Sequence, residues 1–204
     1  MSYKHKLIYK LCLEGDKKKT EEIIEEKGVD NWNSGLFGAC KGGHKEIIQM
    51  MIEKGAYLWN WGLQGACEGG NKEIIQMMIE KGADWWNWGL QGACEGGNKE
   101  IIQMMIEKGA NDWNSGLQGA RYGGHKEIIQ MMIEKGATKL DWFIRYPEDK
   151  EVILGLIEIG LTKEQLKNVK NIEELYKGME KEVNDVLEEK IIKDIRSIII
   201  KLII

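Results

Sequence analysis

The sequence of 204 residues is poor in the residues that mark several protein classes. It has four cysteines, three histidines and one proline. So few cysteines do not form the disulfide framework of a small secreted protein, and a reducing compartment is expected. The longest apolar stretch, at the isoleucine-rich C-terminus, is interrupted by Arg196 and Lys201, so we expect no membrane span. Residues 1–6 lack the apolar stretch of a signal peptide, and we therefore predict a cytoplasmic protein.

No charge of one sign dominates either. The chain has 29 lysine and arginine residues against 33 aspartate and glutamate residues, and no segment has the basic excess that phosphate binding needs. We therefore expect no nucleic-acid partner. Hydrophobic residues make up 43% of the chain, which is enough to build a folded core rather than a disordered chain.

An internal repeat organises most of the chain. Each copy reads W-N-x-G-L-x-G-A-C-x-G-G-[HN]-K-E-I-I-Q-M-M-I-E-K-G-A with few substitutions, and degenerate copies flank the four full ones. The tryptophans near the start of successive copies lie 27 residues apart, at Trp32, Trp59, Trp86 and Trp113. This period divides the chain into an N-terminal capping unit, four full units, a shortened last unit and a C-terminal helical segment, at residues 1–28, 29–137, 138–160 and 161–204.

Each unit fits two helices separated by a Gly-Gly turn. Asn33 or the residue after it is predicted to cap a short first helix, and Gly42-Gly43 ends it because glycine readily adopts a positive φ. His44, or Asn71 in the next unit, is predicted to cap a second helix whose isoleucines and methionines pack against their counterparts in the next unit. The stack predicts an all-α solenoid, in which recurring tryptophans such as Trp59 are mostly buried between units.

The unit resembles the ankyrin repeat. Residues 38–56 contain two small residues, a Gly-His turn, an aliphatic second helix and a terminal Gly-Ala, in the order of that family. The unit departs from the family in its Trp-Gly-Leu-Gln opening at residues 61–64 and in its length, 27 residues rather than about 33. The missing residues fall in the connection, where ankyrin repeats carry a β-hairpin. Similar short, tryptophan-bearing units in large DNA viruses imply a viral protein that acts in the host cytoplasm.

No catalytic or metal-binding set stands out. Cys40, Cys67 and Cys94 recur once per unit, roughly 8–10 Å apart, which is too far for a disulfide, so they are predicted to fill the core. The histidines lie in different units, and no tetrahedral metal site is expected. Acids that recur with the unit, such as Glu46, are predicted to lie on a solvated face rather than in a catalytic pair. We therefore expect no enzyme activity, no metal and no cofactor.

The positions at which the units differ indicate a binding surface. They lie in the first helix and in the connection between units, and the resemblance implies that these segments line a concave, ligand-binding face. Large aromatic residues there are typical of hot spots in protein interfaces. We expect this surface to bind a partner protein, which is a host protein if the chain is viral. The predicted partner-binding residues are Phe37, Tyr57, Trp61, Trp85, Trp88 and Tyr122.

Two questions stay open from the sequence alone. The alternative to a protein partner is a small ligand or a methyl-lysine-type cation held among Trp61, Trp85 and Trp88. The second question concerns residues 171–204, an amphipathic helical pattern with a surplus of isoleucine. This segment either caps the open end of the stack or forms a homodimer.

Overall fold

The computed structural model describes residues 3–27, 31–139 and 188–189. Contacts divide the chain into two compact units, Met1–Gly136 and Ala137–Ile204. The repeat array from the N-terminal helix pair to the fourth full unit lies in the first of them.

The predictions for the C-terminal part of the chain fall largely outside the described residues. The shortened last unit was expected over 138–160, of which the structure describes residues 138 and 139. The C-terminal cap or dimerisation segment is predicted over 161–204, with a homodimer through 171–204 as one alternative; of these residues the structure describes Glu188 and Glu189, both helical and exposed. Both assignments stay predictions.

Ten α-helices and no strand form the array within residues 3–27 and 31–139. Each full unit has a first helix of 11 residues and a second helix of nine, which confirms the predicted all-α solenoid of helix pairs. None of the described helices is long and apolar enough to span a bilayer. In chain order the helices are α1 (Tyr3–Glu14), α2 (Lys17–Lys27), α3 (Trp32–Gly42), α4 (Lys45–Glu53), α5 (Trp59–Gly69), α6 (Lys72–Glu80), α7 (Trp86–Gly96), α8 (Lys99–Glu107), α9 (Trp113–Gly123) and α10 (Lys126–Glu134).

The turn within each unit forms at the predicted glycines. α3 is followed by Gly43, which has a φ of 83° and donates its N–H to the carbonyl of Ala39. Residues with a side chain rarely adopt this left-handed conformation, so glycine is needed at the turn. The second helix then returns along the first and buries Ile47, Ile48 and Met51 against it.

The recurring cysteines are core residues, as predicted. Cys12, Cys40, Cys67 and Cys94 are all buried, and the Sγ atom of Cys67 lies 3.8 Å from the Sδ atom of Met105. Burial raises the pKa of Cys67 to about 12, so this thiol stays protonated and unreactive at neutral pH. Across the part of the chain that the structure describes, no group of three or more His, Cys, Asp or Glu side chains could hold a metal ion.

Successive units are held together mainly by their first helices. Contacts run from α1 to α3 and onward through α5 and α7 to α9, and each second helix packs on the first helix of its own unit. Glycine allows the close approach, since a Cβ atom at Gly65 would lie only 2.6 Å from the carbonyl oxygen of Phe37 in the preceding unit. The first helices thus approach closely through small residues, and methionines of the second helices, such as Met105, contact the first helix of the preceding unit. Packing of the isoleucines and methionines of successive second helices against one another stays a prediction.

The second helices are linked at their exposed surface. The predicted solvated acid Glu46 is exposed and forms an ion pair with Lys17. Lys45 pairs with Glu73 of the next unit in the same way, and the later units repeat this arrangement. Exposed pairs of this kind contribute little to stability, so they add to a stack that the first helices already hold.

The asparagine that follows each recurring tryptophan joins one unit to the next. The Oδ1 atom of Asn60 accepts hydrogen bonds from the backbone N–H groups of Asp84 and Trp85, both at 2.9 Å. Asn33 and Asn87 make the equivalent pairs of hydrogen bonds one unit earlier and one unit later. Each of these asparagines therefore fixes the connection that leads into the following unit.

The first helix begins earlier than predicted, which changes the roles of two residues. The prediction that Asn33 caps this helix is wrong, because α3 begins at Trp32 and Asn31 is its N-cap. The recurring tryptophan is therefore the first residue of the helix. Trp59 is neither fully buried nor exposed, and its burial between units stays a prediction. The ring of Trp59 lies 5.6 Å from the Nζ atom of Lys81, at the end of the second helix of its own unit.

The residue before the second helix caps the preceding unit more often than its own. His44 occupies the predicted N-cap position but makes no side-chain cap bond, and its Nε2 atom lies 3.0 Å from the carbonyl oxygen of Leu13. Asn71 likewise donates to the carbonyl of Lys41 at 3.3 Å. Carbonyl groups at the end of a helix lack partners within that helix, and the next unit supplies them here. Asn98 does cap its own helix, through Ile101 N–H at 3.1 Å.

Candidate binding surface

The first helices present three rows of side chains outside the core. In α5 the residues at Trp61, Gln64 and Glu68 share one face, because their spacing of three and four residues aligns them along the helix. The remaining face of α5 is buried at Gly62, Leu63, Gly65, Ala66 and Cys67. With the equivalent residues of α3, α7 and α9, the rows are Ser34-Trp61-Trp88-Ser115, Phe37-Gln64-Gln91-Gln118 and Lys41-Glu68-Glu95-Tyr122.

The first two rows and α1 enclose a groove of about 550 Å³, which we call the aromatic groove. Trp61 and Trp88 are each 36% exposed, although tryptophan is usually well buried. At one end, the rings of Tyr9 and Phe37 lie with centroids 5.9 Å apart. No lining residue is charged at neutral pH, so the groove offers apolar surface with amide and hydroxyl groups. The lining residues are Tyr9, Ser34, Phe37, Trp61, Gln64, Trp88 and Gln91.

A second, acidic recess adjoins the groove, and we call it the acidic notch. It has a volume of about 400 Å³ and shares Trp88 with the aromatic groove. Trp85 is 51% exposed and meets Trp88 edge to face, with centroids 4.7 Å apart and an interplanar angle of 81°. The notch is lined by Asp84, Trp85, Trp86, Asn87, Trp88, Asp112 and Ser115.

The structure brings together only some of the predicted partner-binding residues. Phe37, Trp61 and Trp88 line the aromatic groove, whereas Trp85 lines the acidic notch. Trp61 and Trp85 therefore do not line a common cavity. Tyr57 and Tyr122 are 66% and 60% exposed and line neither cavity.

Tyr122 lies beside side chains of its own helix. Its hydroxyl accepts a hydrogen bond from the Nε2 atom of Gln118 at 3.3 Å. The guanidinium carbon of Arg121 lies 5.8 Å from the centroid of the Tyr122 ring. The ring and hydroxyl of Tyr122 therefore contact side chains of its own helix. Although Tyr122 is exposed, it does not line the aromatic groove.

Sequence reasoning missed several lining residues of the groove. Tyr9 lies in α1, outside the four full units in which the variable positions were compared. Gln64 and Gln91 occupy a position that varies among the units. Glutamine, unlike tryptophan, is not typical of interface hot spots. Ser34 is a small residue at a position where the next two units carry tryptophan, and its residue type alone does not indicate binding. Their positions in the repeat could have indicated them, because Ser34 is equivalent to Trp61 and Gln64 is equivalent to Phe37.

The third row has its own electrostatics. Lys41 forms an ion pair with Glu68 of the next unit. Glu95, which belongs to the unit after that of Glu68, lies beside Glu68. Burial raises the pKa of the Glu95 carboxyl, and the neighbouring charge and hydrogen bond of Glu68 raise it further. The row thus places ionisable groups beside one another but outside both cavities.

Comparison with known proteins identifies no family. No protein-family model matches the chain, and a search of curated proteins finds no match either. The chain is a helical repeat protein.

Proposed function

We propose that this helical repeat protein is an ankyrin-like interaction scaffold that binds a partner protein through the aromatic groove and carries no enzymatic activity. The observation that carries the proposal is the contiguous, uncharged groove whose walls include two partly exposed tryptophans, Trp61 and Trp88. The repeat pattern of residues 38–56 supports the ankyrin likeness. The short, tryptophan-bearing unit supports a viral protein in host cytoplasm.

The scaffold beneath the groove suits this function. The first helices pack closely through glycines such as Gly65, so the tryptophans project from backbones that have little room to shift. Preorganised aromatic side chains lose little conformational entropy on binding, and they dominate the energetics of many interfaces. The differences among units also fall on these rows, while the buried second-helix residues Ile47, Ile48 and Met51 recur unchanged.

Replacing Trp61 and Trp88 together by serine tests the proposal, because the first and fourth units already carry Ser34 and Ser115 at that position. Since the two tryptophans are partly exposed, we expect the melting temperature to stay within a few degrees. Partner capture from host-cell lysate should fall by at least about tenfold, as for loss of two interface hot spots. Thermal unfolding and quantitative pull-down with mass spectrometry measure the two effects.

Tyr122→Ala supplies the control for this experiment. It removes an aromatic ring that is more exposed than Trp61 but lies outside the groove, so the captured proteins should be unchanged. If the Trp61→Ser, Trp88→Ser double variant unfolds, these tryptophans are core residues. If it folds and captures the same proteins as the wild type, the aromatic groove is not the binding surface.

The second candidate function is recognition of a methyl-lysine-type cation, and the acidic notch is the observation that favours it. Trp85 and Trp88 stand nearly perpendicular at 81°, and Asp84 and Asp112 line the same recess. Indole faces and carboxylates both attract an alkylammonium group. The ring of Trp86 already has the Nζ atom of Lys108 5.7 Å from its centroid, so ammonium groups do approach tryptophans of this array.

A charged ligand and its neutral isostere distinguish this candidate. Nα-acetyl-trimethyllysine amide should bind the full chain at least about threefold tighter than its 5,5-dimethylhexyl analogue, in which carbon replaces the quaternary nitrogen and which has the same shape without the charge. Trp85→Leu, the residue that the preceding unit carries at Leu58, should reduce the difference, while Trp88 and the two carboxylates remain in the notch. Tryptophan fluorescence follows both titrations. Equal binding of the two ligands would exclude a cation site in the notch.

A further inference from the structure

The hydroxyl group of Ser34 is buried in the wall of the aromatic groove without a hydrogen-bond partner. Ser34 is 2% exposed and lines the groove, and its Oγ atom has no hydrogen-bond partner among the residues that the structure describes. A buried hydroxyl without a partner destabilises the folded state, and such groups are rare in native proteins. The unpaired hydroxyl of Ser34 therefore needs a physical explanation.

The equivalent serine of the fourth unit shows how this array normally satisfies the hydroxyl. There the N-cap is Asp112, whose Oδ1 atom accepts from Ser115 N–H at 3.1 Å and whose Oδ2 atom accepts from Ser115 Oγ at 2.7 Å. In the first unit the N-cap is Asn31, whose single amide oxygen accepts from Ser34 N–H at 3.0 Å. The Asn31 amide has no second oxygen to accept from the Ser34 hydroxyl as Asp112 does from Ser115, and its NH2 group makes no hydrogen bond to Ser34 Oγ.

The surroundings of Ser34 define what could bind beside it. The two following units carry tryptophan at this position, so the serine leaves a recess next to Trp61. Phe37 replaces the glutamine of the other units, and its ring and the ring of Tyr9 line that end of the groove. Charge complementarity favours an uncharged ligand, because a charged group would lose its hydration without gaining an opposite charge from the lining.

We propose that the Ser34 end of the groove binds a tyrosine side chain of the partner protein. The proposal rests on the proposed function of the groove and names the group that occupies one end of it. The phenol ring packs among Tyr9, Phe37 and Trp61. Rotation about χ1 of Ser34 turns the buried Oγ atom toward the groove, where it exchanges a hydrogen bond with the phenol hydroxyl. Both hydroxyls donate and accept, so either direction satisfies Ser34. Phenylalanine has no polar group for Ser34, and the indole N–H of tryptophan only donates.

Two small probes test this assignment on the full chain. N-acetyl-tyrosinamide and N-acetyl-phenylalaninamide are titrated while NMR follows the indole N–H signal of Trp61. We expect the tyrosine probe to bind about fivefold tighter, which is the usual effect of one hydrogen bond. In Ser34→Ala the two affinities should become equal through weaker binding of the tyrosine probe alone.

Asn31→Asp provides a matched variant that keeps the Ser34 hydroxyl in place. It gives the first unit the aspartate cap of the fourth unit, whose second oxygen accepts from the serine hydroxyl. The preference for the tyrosine probe should therefore fall in this variant as it does in Ser34→Ala. Loss of the preference in both variants supports hydrogen bonding to Ser34 rather than a change in the shape of the recess.

Each other outcome overturns the inference. Equal affinities in the wild type, a preference that persists in Ser34→Ala, or no response of Trp61 to either probe excludes the tyrosine site. A stronger, Ser34-dependent response to N-acetyl-tryptophanamide would assign the recess to tryptophan instead. These results are separate from the test of the groove itself, because equal binding of both probes at Trp61 leaves the groove a binding surface. The proposed function fails only if the Trp61→Ser, Trp88→Ser variant captures the partner unchanged.

Discussion

Gly65→Ala is expected to destabilise the repeat array by about 3 kcal/mol, although alanine is the better helix former. The residue lies within α5, where a Cβ atom would approach the carbonyl oxygen of Phe37 to 2.6 Å. That oxygen belongs to the backbone of α3, so relief of the overlap requires α3 and α5 to move apart. The separation would weaken every other contact between the two helices. Chemical denaturation followed by far-UV circular dichroism measures the loss.

Gly82→Ala is the control for this effect, because it makes the same chemical change in the same unit without a neighbour within 4 Å. Its φ of 99° strains alanine, and we expect a loss of only about 1 kcal/mol. The two variants separate steric contact between units from backbone strain. A Gly65→Ala variant as stable as the wild type would show that the first helices do not pack as closely as described.

Asn60→Ala is expected to destabilise the array by about 2–3 kcal/mol. The side-chain oxygen of Asn60 accepts from two backbone N–H groups, those of Asp84 and Trp85. Alanine leaves both donors without this partner, and each unsatisfied donor costs about 1–3 kcal/mol when buried and less when water reaches it. Because Trp85 is the N-cap of α7, the connection into the next unit should also become more mobile. Amide hydrogen exchange at residues 84 and 85 reports that change.

Asn60→Asp is the matched control, since a carboxylate keeps an acceptor oxygen in the same place and loses only the amide donor. We expect its stability to stay within about 1 kcal/mol of the wild type. Protection of the same two amides should be retained. If aspartate destabilises as much as alanine, the amide group of Asn60 and not its acceptor oxygen makes the important contact.

The features that repeat with the 27-residue period were predictable from the sequence. The helix pair follows from the periodicity of small and aliphatic residues, and the turn at Gly43 follows from the conformations that glycine allows. Burial of Cys67 follows from its position between alanine and a variable residue on an apolar helix face. These properties depend on local sequence or on the need to cover an apolar face, and both are visible in a single unit.

The features that depend on a neighbouring unit were harder to predict. Asn33 looked like a cap because asparagine favours that role, yet its side chain bonds the backbone of the next connection. His44 looked like a cap for its own helix, yet its side chain lies beside the carbonyl of Leu13 in α1, the first helix of the preceding unit. In both cases the partner is a backbone atom more than 20 residues away, and main-chain atoms carry no signal in a sequence comparison.

The residues that line the candidate site were likewise only partly predictable from the sequence. Trp61 and Trp88 stood out because unit-to-unit substitution by a large aromatic residue is unusual on a solvated face. Tyr9 could not be placed, since α1 belongs to a degenerate unit with no clear alignment. The unpaired hydroxyl of Ser34 became recognisable only when the hydrogen bonds of the two N-cap residues, Asn31 and Asp112, were compared.

The asparagine contacts between units have a consequence for how the array can change in length. Each one joins residues 24 and 25 positions apart, and the same bond recurs at every described junction between full units. Duplication or deletion of a gene segment that encodes one whole unit would therefore rejoin equivalent surfaces and leave no unmatched junction. Each added copy of the second or third unit would extend the groove by one tryptophan and one glutamine, so recombination among near-identical copies would change the length of the groove.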